Sequence, residues 1–386
     1  MSGPALAPLS KRRSTGVYDA IVIGGGLVGS AIAYGLRNHL DTVAVLDEGD
    51  TAYRASRGNF GLVWVQSKGL GMAPYSRWTL TSRELWPEFA GQLQALTGLN
   101  VALDQRGGLH AVLSEAEFAH RQEQLTRLTA QPGAARYPWK MLDRHEVADL
   151  VPGLGPDVRG ASWTPVDATV NPLILLRALH TAFAQRGVDY LPLHPVKTIT
   201  FPDKLFTLHT PQGTFRTPRL VLAAGLGNAA LATCVGLHAP VRPQRGQILV
   251  LERTRPLSAL PFSTLRQMNE GTWLLGDSQE EAGLNDQTPG LEIPSAIAQR
   301  AVRILPALRH VRMVRTWSAL RVMSPDGFPL YDESPTHPGA FLATCHSGVT
   351  LAAAHALQLA PMLSAGGLSP DMAPFSCRRL NVPPTA

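Results

Sequence analysis

The chain has 386 residues, 45% of them hydrophobic and 17% charged, the proportions of a globular protein with ample core. Its net charge is +6, but the arginines are scattered, no aromatic–basic interleaving marks a nucleic-acid module, and no apolar run approaches the ~18 residues of a membrane span. Cys234, Cys345 and Cys377 lie far apart without a Cys-x-x-Cys pair, which excludes a disulfide framework, a structural zinc and an iron–sulfur cluster, and points to a reducing, cytoplasmic setting.

Residues 1–16 have no secretory apolar region and read as a disordered leader, with Lys11-Arg12-Arg13 solvated. Residues 18–48, "YDAIVIGGGLVGSAIAYGLRNHLDTVAVLDE", read as strand, glycine turn, helix and strand. The runs Ala20 to Ile23 and Val43 to Leu46 are short, β-branched and continuously apolar, as strands buried on both faces are. A helix is expected from about Ala73 to Leu96, where Trp78, Leu85, Phe89, Leu93 and Leu96 recur near helical spacing. A strand over 109–113 and a helix from about Glu115 follow. Asn171-Pro172 is a helix start, with Asn as cap and Pro in the first turn. "KLFTLHTPQGTFRTPRLVLAAG" predicts a hairpin turning at Pro211-Gln212-Gly213, then a buried strand, Leu220 to Ala224. Further strands are expected at 246–251, 272–276, 313–322 and 340–345, the last feeding a small-residue helix from near Gly348.

The order implies an α/β chain: a doubly wound Rossmann-like domain interleaved with a mostly antiparallel α+β domain. The dinucleotide-type domain is assigned to 17–80, 152–238 and 334–380. The inserted domain, the place for a substrate, takes 81–151 and 239–333.

Gly24-x-Gly26-x-x-Gly29 carries the first chemical signal. Gly24 permits a tight turn, Gly26 lets backbone approach a pyrophosphate, and Gly29 lets the helix pack against the strand. The helix then opens at Leu27 and Val28, presenting unpaired N–H groups and a positive dipole end to phosphate. Asp47, with Glu48 as the substitute, ends the second strand where an acid hydrogen-bonds the ribose. This predicts dinucleotide binding, and the fingerprint alone does not separate NAD from FAD.

"WSALRVMSPDG" sets Arg321 in an apolar strand-like run ahead of a turn. Either it pairs with a local acid such as Asp326 or it receives an anion. "ATCHSGVTLAAAH" combines a strand end, a glycine turn and a helix start, again an anion-friendly geometry. His346 within it is a lone histidine, and Cys345 has no second metal ligand at useful spacing.

From about Val17 to Leu380 the chain resembles the D-amino-acid oxidase-like flavoenzymes, including glycine and sarcosine oxidases and D-amino-acid dehydrogenases. The motifs are "IVIGGGLVGSAIAYGL", "ASRGNFGLVW", "RLVLAAGLGNAAL", "VRPQRGQILV", "LRVMSPDGFPLYD" and "CHSGVTLAAAH". The resemblance makes FAD the expected cofactor, in place of NAD. It implies that Ser56, Asn59 and Gly61 wrap the diphosphate and approach the flavin, and that Ala224 and Gly225 admit the cofactor. It implies that Val196 holds the adenine side, and that Gly348, Val349 and Thr350 face the pyrimidine end. Ala319 stands near where related members carry a tethering cysteine, so FAD is expected to be noncovalent.

By the same resemblance, Arg321 forks onto a substrate carboxylate, His346 lies near flavin and substrate, and Tyr331 and Trp317 line the pocket. The implied reaction is oxidation of the C–N bond of a small amino or imino acid, of the D-amino acid, hydroxyproline or opine type, by hydride transfer to flavin N5. The chain resembles flavoprotein subunits that pass electrons to a partner subunit. A stand-alone oxygen-using oxidase and an inactive scaffold subunit are the alternatives.

Overall fold

In the computed structural model, which describes residues 16–49, 54–276, 278–283 and 290–380, the first strand–turn–helix–strand is β1 (Ala20–Ile23), α1 (Leu27–Leu36) and β2 (Val43–Leu46). Both strands are buried along their whole length, which is why their sequences lack alternation. The expected leader lies, apart from Gly16, outside the described residues. α2 (Ala73–Thr97) ends on Gly98 in the left-handed conformation, the usual helix stop. α3 (Pro172–Arg186) starts where its Asn-Pro signal places it, the Asn171 side chain accepting from the N–H groups of Leu173 and Ile174. The strands that matter for the site follow: β3 (Val188–Leu191), β4 (Leu220–Leu222), β5 (Arg242–Arg253), β6 (Met313–Met323), β7 (Leu330–Glu333) and β8 (Ala340–Thr344).

Six strands form one sheet in the order β7-β8-β4-β1-β2-β3. Every neighbouring pair is parallel except β7 with β8. Ile21 aligns with Leu220, and Leu220 with Ala340, so segments remote in sequence close this layer. α1 packs on the C-terminal helical segment so tightly that a Cβ at Gly35 would lie 2.1 Å from the carbonyl oxygen of Ala356. Trp86, Phe89 and Leu93 of α2 join Leu175, Leu179 and Phe183 of α3 in the same core.

The second layer is antiparallel. β5 and β6 pair from Arg242↔Met323 to Leu251↔Met313, and Leu265–Gln267, Thr272–Leu275 and Glu280–Glu281 extend that sheet. A three-stranded sheet of Gly108–Val112, Gly160–Thr164 and Lys140–Asp143 shares its core through Leu109, Phe262 and Trp273. The expected hairpin is Phe206–Thr210 against Gly213–Thr217. The fold is therefore the interleaved α/β arrangement read from sequence.

Contacts cross the sequence-drawn domain boundaries at three places. β7 lies within 239–333 yet pairs with β8. Gly160–Thr164 lies within 152–238 yet pairs with Gly108–Val112. The last turns of α2 lie within 81–151 yet bury Phe89 and Leu93 in the core of the parallel layer. Each is a pairing between distant segments, which local pattern does not carry. Among the described residues no helix is long and apolar enough to cross a membrane.

Candidate active site

The parallel strands β1, β2, β4 and β8 end along one edge, and the glycine turn sits there. Gly24 has φ 113°, and a Cβ on it would lie 2.3 Å from the Ala223 carbonyl oxygen. A Cβ on Gly29 would lie 2.0 Å from the Gly24 carbonyl oxygen. Only hydrogen fits at either position, so the first turn of α1 can sit directly above β1 and β4. Gly26 faces Ser56, whose Oγ would be 2.8 Å from an added Cβ and which accepts the Leu27 N–H at 2.9 Å.

Of the two acids after β2, Asp47 turns inward. Its carboxylate accepts the Gly25 N–H at 2.6 Å and the Gly49 N–H at 2.9 Å. Glu48 is exposed and pairs with Arg54. The Asp47 carbonyl accepts the His194 N–H at 2.8 Å, which brings the segment holding Val196 beside β2. Val196 itself packs, half-buried, against the cluster of Ile199, Phe206 and Leu208.

Residues 56–61 bridge the glycine turn and β6. A Cβ on Gly58 would lie 2.3 Å from the Ala319 Cβ. Asn59 Oδ1 accepts the Gly61 N–H at 2.7 Å. The carbonyl of Gly61, a residue at φ 86°, accepts from Arg266 Nη1 at 3.0 Å, while Arg266 Nη2 donates to the Val170 carbonyl at 2.7 Å. Burial pulls the Arg266 guanidinium down to about 10, so this clamp is made by a strongly desolvated group.

Two further turns arrive from other strands. After β4, Gly225 at φ 59° approaches β6, a Cβ there lying 3.3 Å from the Val322 side chain. The Ala224 N–H donates to Asn228 Oδ1 at 2.9 Å. After β8, Gly348 meets Val28, with 3.4 Å between an added Cβ and Val28 Cγ2. The turn closes through the Leu351 N–H to Ser347 O and the Ala352 N–H to Val349 O, so the amides of Gly348, Val349 and Thr350 precede the first helical bonds. Val349 is buried. The Thr350 hydroxyl is committed to structure, accepting the Trp64 N–H and donating to the Leu62 carbonyl.

These residues fit a dinucleotide with a polar ring. Gly26 leaves a cradle at a helix N-terminus, and among the described residues the buried donors without an acceptor include Asn228 Nδ2, Trp317 Nε1 and Trp64 Nε1. An orphaned buried donor costs about 1–3 kcal/mol, so acceptors brought by a ligand would relieve these. Among the described residues no group of His, Cys, Asp or Glu could hold a metal ion.

Arg321 is half-buried on β6, opposite Gln244 of β5. Its Nη1 donates to the Ser278 carbonyl at 2.5 Å and the Arg245 carbonyl at 3.4 Å. The guanidinium lies over Gly246, where a Cβ would sit 2.5 Å from Nη2. Asp326, the local acid named as its alternative partner, pairs instead with Arg379 at 2.8 Å. Tyr331 does not line a pocket: it is buried in the core and bonds Trp78 and His355. Trp317 packs beside Gly58.

His346 and Arg321 are brought within range of one another by the β8 turn. The Lys68 ammonium, then burial and the Arg321 guanidinium, hold the His346 imidazole well below its ordinary value, so it is neutral. Ser347 Oγ lies 3.3 Å from His346 Nδ1 and 2.6 Å from the Tyr75 hydroxyl. Sequence reasoning missed Lys68, Tyr75, Asn228 and Arg266. Only Lys68 had a visible signal, a basic residue between two small ones in "QSKGLG".

The model of the FAD dependent oxidoreductase family, DAO, matches residues 19–362. A subunit of opine oxidase from Agrobacterium tumefaciens (strain Ach5) is 41% identical to this chain, over 94% of it and 98% of the relative. The protein of the same name from Rhizobium meliloti is 40% identical over 94% and 98%. The crystal structure of glycine oxidase from Geobacillus kaustophilus superposes with a TM-score of 0.85 at 26% identity, covering 93% of this chain and 98% of that one.

Proposed function

The chain belongs to the FAD dependent oxidoreductase family, and from that premise we propose that it oxidises the C–N bond of a small amino or imino acid held by Arg321. The observation that carries this is the contact of the two cofactor turns with β6. Gly58 presses on Ala319 and Gly225 on Val322, one residue away from Arg321 in the latter case. The nucleotide cradle and the anion receptor thus share a wall.

Gly24, Gly26, Leu27, Val28, Gly29, Asp47, Ser56, Asn59, Gly61, Val196, Ala224, Gly225, Gly348, Val349 and Thr350 are the residues assigned to FAD, bound without a covalent tether. When bound, FAD supplies the acceptor for the hydride leaving the substrate α-carbon. Arg321 orients that carbon by a planar pair of N–H groups matched to a carboxylate. Its carbonyl partners, Ser278 and Arg245, fix the fork before substrate arrives, which lowers the entropy cost of binding. His346, kept neutral by Lys68, burial and Arg321, can accept a hydrogen bond from the substrate nitrogen without adding a third cation to the site.

The two 40–41% relatives each carry the name of one subunit of an opine oxidase, which supports a role as one member of a multi-subunit enzyme; electron relay to a partner and a cytoplasmic setting belong to the same proposal. The chain's three dispersed cysteines provide no cluster of their own for that relay.

Anaerobic bleaching of the bound flavin by amino acids, N-alkyl amino acids and opines tests the reaction. Arg321→Ala should lower kcat/KM on carboxylated amines by roughly 100- to 1,000-fold, the loss of two charge-assisted hydrogen bonds. An unchanged kcat/KM removes this reading. Reduction of an artificial dye much faster than of oxygen by the isolated chain supports a relay partner.

A further inference from the structure

Leu193 combines two unfavourable features. Its φ is 62°, a left-handed conformation that a bulky side chain resists. It is also 59% exposed, so much of its apolar surface stays in water. Leu193 follows Pro192 in the turn after β3. Behind a proline, a turn residue at positive φ is favourably glycine or asparagine. A leucine there serves neither the backbone nor the core.

Asp47 fixes the place of this turn. The Asp47 N–H donates to the Leu191 carbonyl at 3.1 Å, and the Asp47 carbonyl accepts the His194 N–H at 2.8 Å. Pro192 and Leu193 therefore project between two anchors on the residue that ends β2. His194 Nδ1 lies 2.8 Å from the Pro192 carbonyl oxygen, which braces the turn from within. Gly49 links the turn to the acid. Its N–H donates to Asp47 Oδ1 at 2.9 Å, while a Cβ on it would lie 2.7 Å from Leu193 Cδ2. The leucine thus stands against the same glycine that the Asp47 carboxylate holds, shortly before Val196 in the chain.

We propose that Leu193 covers one face of the adenine of FAD, and that the left-handed turn aims it there. This rests on the assignment of Asp47 to the ribose and is independent of the substrate oxidised. In FAD the adenine follows the ribose, so an apolar group just past the ribose-binding acid meets the planar base. Contact with the base takes the leucine out of water, a gain absent from the flavin-free protein, and that gain offsets the strain of the turn. Asparagine would suit the backbone better, but it would turn a polar amide toward the ring.

Leu193→Asn and Leu193→Met in the full chain separate backbone strain from apolar contact, since Asn tolerates the left-handed conformation and Met keeps an apolar side chain. In Leu193→Asn the denaturant midpoint of the flavin-free protein should hold or rise. Release of FAD from the loaded protein, followed as rising flavin fluorescence on dilution, should quicken roughly 5- to 20-fold. The ADP concentration that halves FAD rebinding should rise by the same factor, because ADP carries the adenine without the flavin. Leu193→Met should release FAD at the wild-type rate. The proposal is overturned by wild-type release from Leu193→Asn, by equal loosening in Leu193→Met, by faster release with an unchanged ADP requirement, or by a midpoint that falls with it. Asp47→Ala distinguishes these failures from a misplaced ribose: if that variant holds FAD at wild-type strength, the ribose assignment falls and takes the proposal with it.

Discussion

Asp167 offers the sharpest quantitative test. It is fully buried, and burial raises its carboxyl from 3.8 to about 7, against the hydrogen bonds from Val65 and Gln66 and the nearby Arg121. Below pH 3.8 the carboxyl is protonated in folded and unfolded chains alike. Between that value and about 7 the unfolded chain has released the proton and the folded chain keeps it. Stability therefore falls as pH rises through this window, then levels. At ~1.4 kcal/mol per pH unit the gap comes to about 4 kcal/mol, and with an unfolding entropy of about 2 cal/mol/K per residue that is roughly 5 °C in Tm.

Paired acids such as Asp104, Glu117 and Asp326, whose carboxyls are held low, slope the other way, so the difference between proteins is the useful quantity. Asp167→Asn removes the titration. Its amide can still accept from Val65 and Gln66, and the mismatch with Gln66 Nε2 adds a penalty that does not vary with pH. Thermal unfolding of the two flavin-loaded proteins from pH 4 to 8 is the assay. The wild-type advantage should shrink by roughly 5 °C across the range; a constant difference would refute the assignment of this proton to Asp167.

Ser56→Ala removes the acceptor for the Leu27 N–H and should weaken FAD by about 1 kcal/mol, roughly 5-fold in Kd, read by titrating flavin fluorescence. Gly29→Ala forces a methyl to 2.0 Å from the Gly24 carbonyl and should cost on the order of 3 kcal/mol, seen as a lower denaturant midpoint and little bound flavin. Asp326→Asn should leave KM for carboxylated amines unchanged, because the carboxylate serves Arg379; a rise in KM comparable to that of Arg321→Ala would refute the separation of the two arginines.

Local signals were legible wherever a single segment decides its own shape. The Asn171-Pro172 start works because cap and helix are contiguous, and the hairpin at Pro211 to Gly213 because its strands are adjacent in sequence. The glycine fingerprint was legible because its spacing reflects the steric limits of one turn. The opposite holds for Arg266, which clamps Gly61 from far along the chain, and for Thr350, whose hydroxyl is drawn away to Leu62 and Trp64. Tyr331 misled because an aromatic next to a functional strand carries no mark of which side it faces, and here it faces the core.

By itself, the order of residues determined the strand–turn–helix that accepts phosphate, the interleaved α/β architecture and the motif set of a flavoenzyme, since each follows from backbone sterics or apolar runs within a few dozen residues. Only the tertiary structure decided that Asp326 belongs to Arg379, that Lys68 and Arg321 act on one imidazole, and that His346 is neutral. Electrostatic fields act through space, and no sequence separation measures the distance that parallel strand pairing creates.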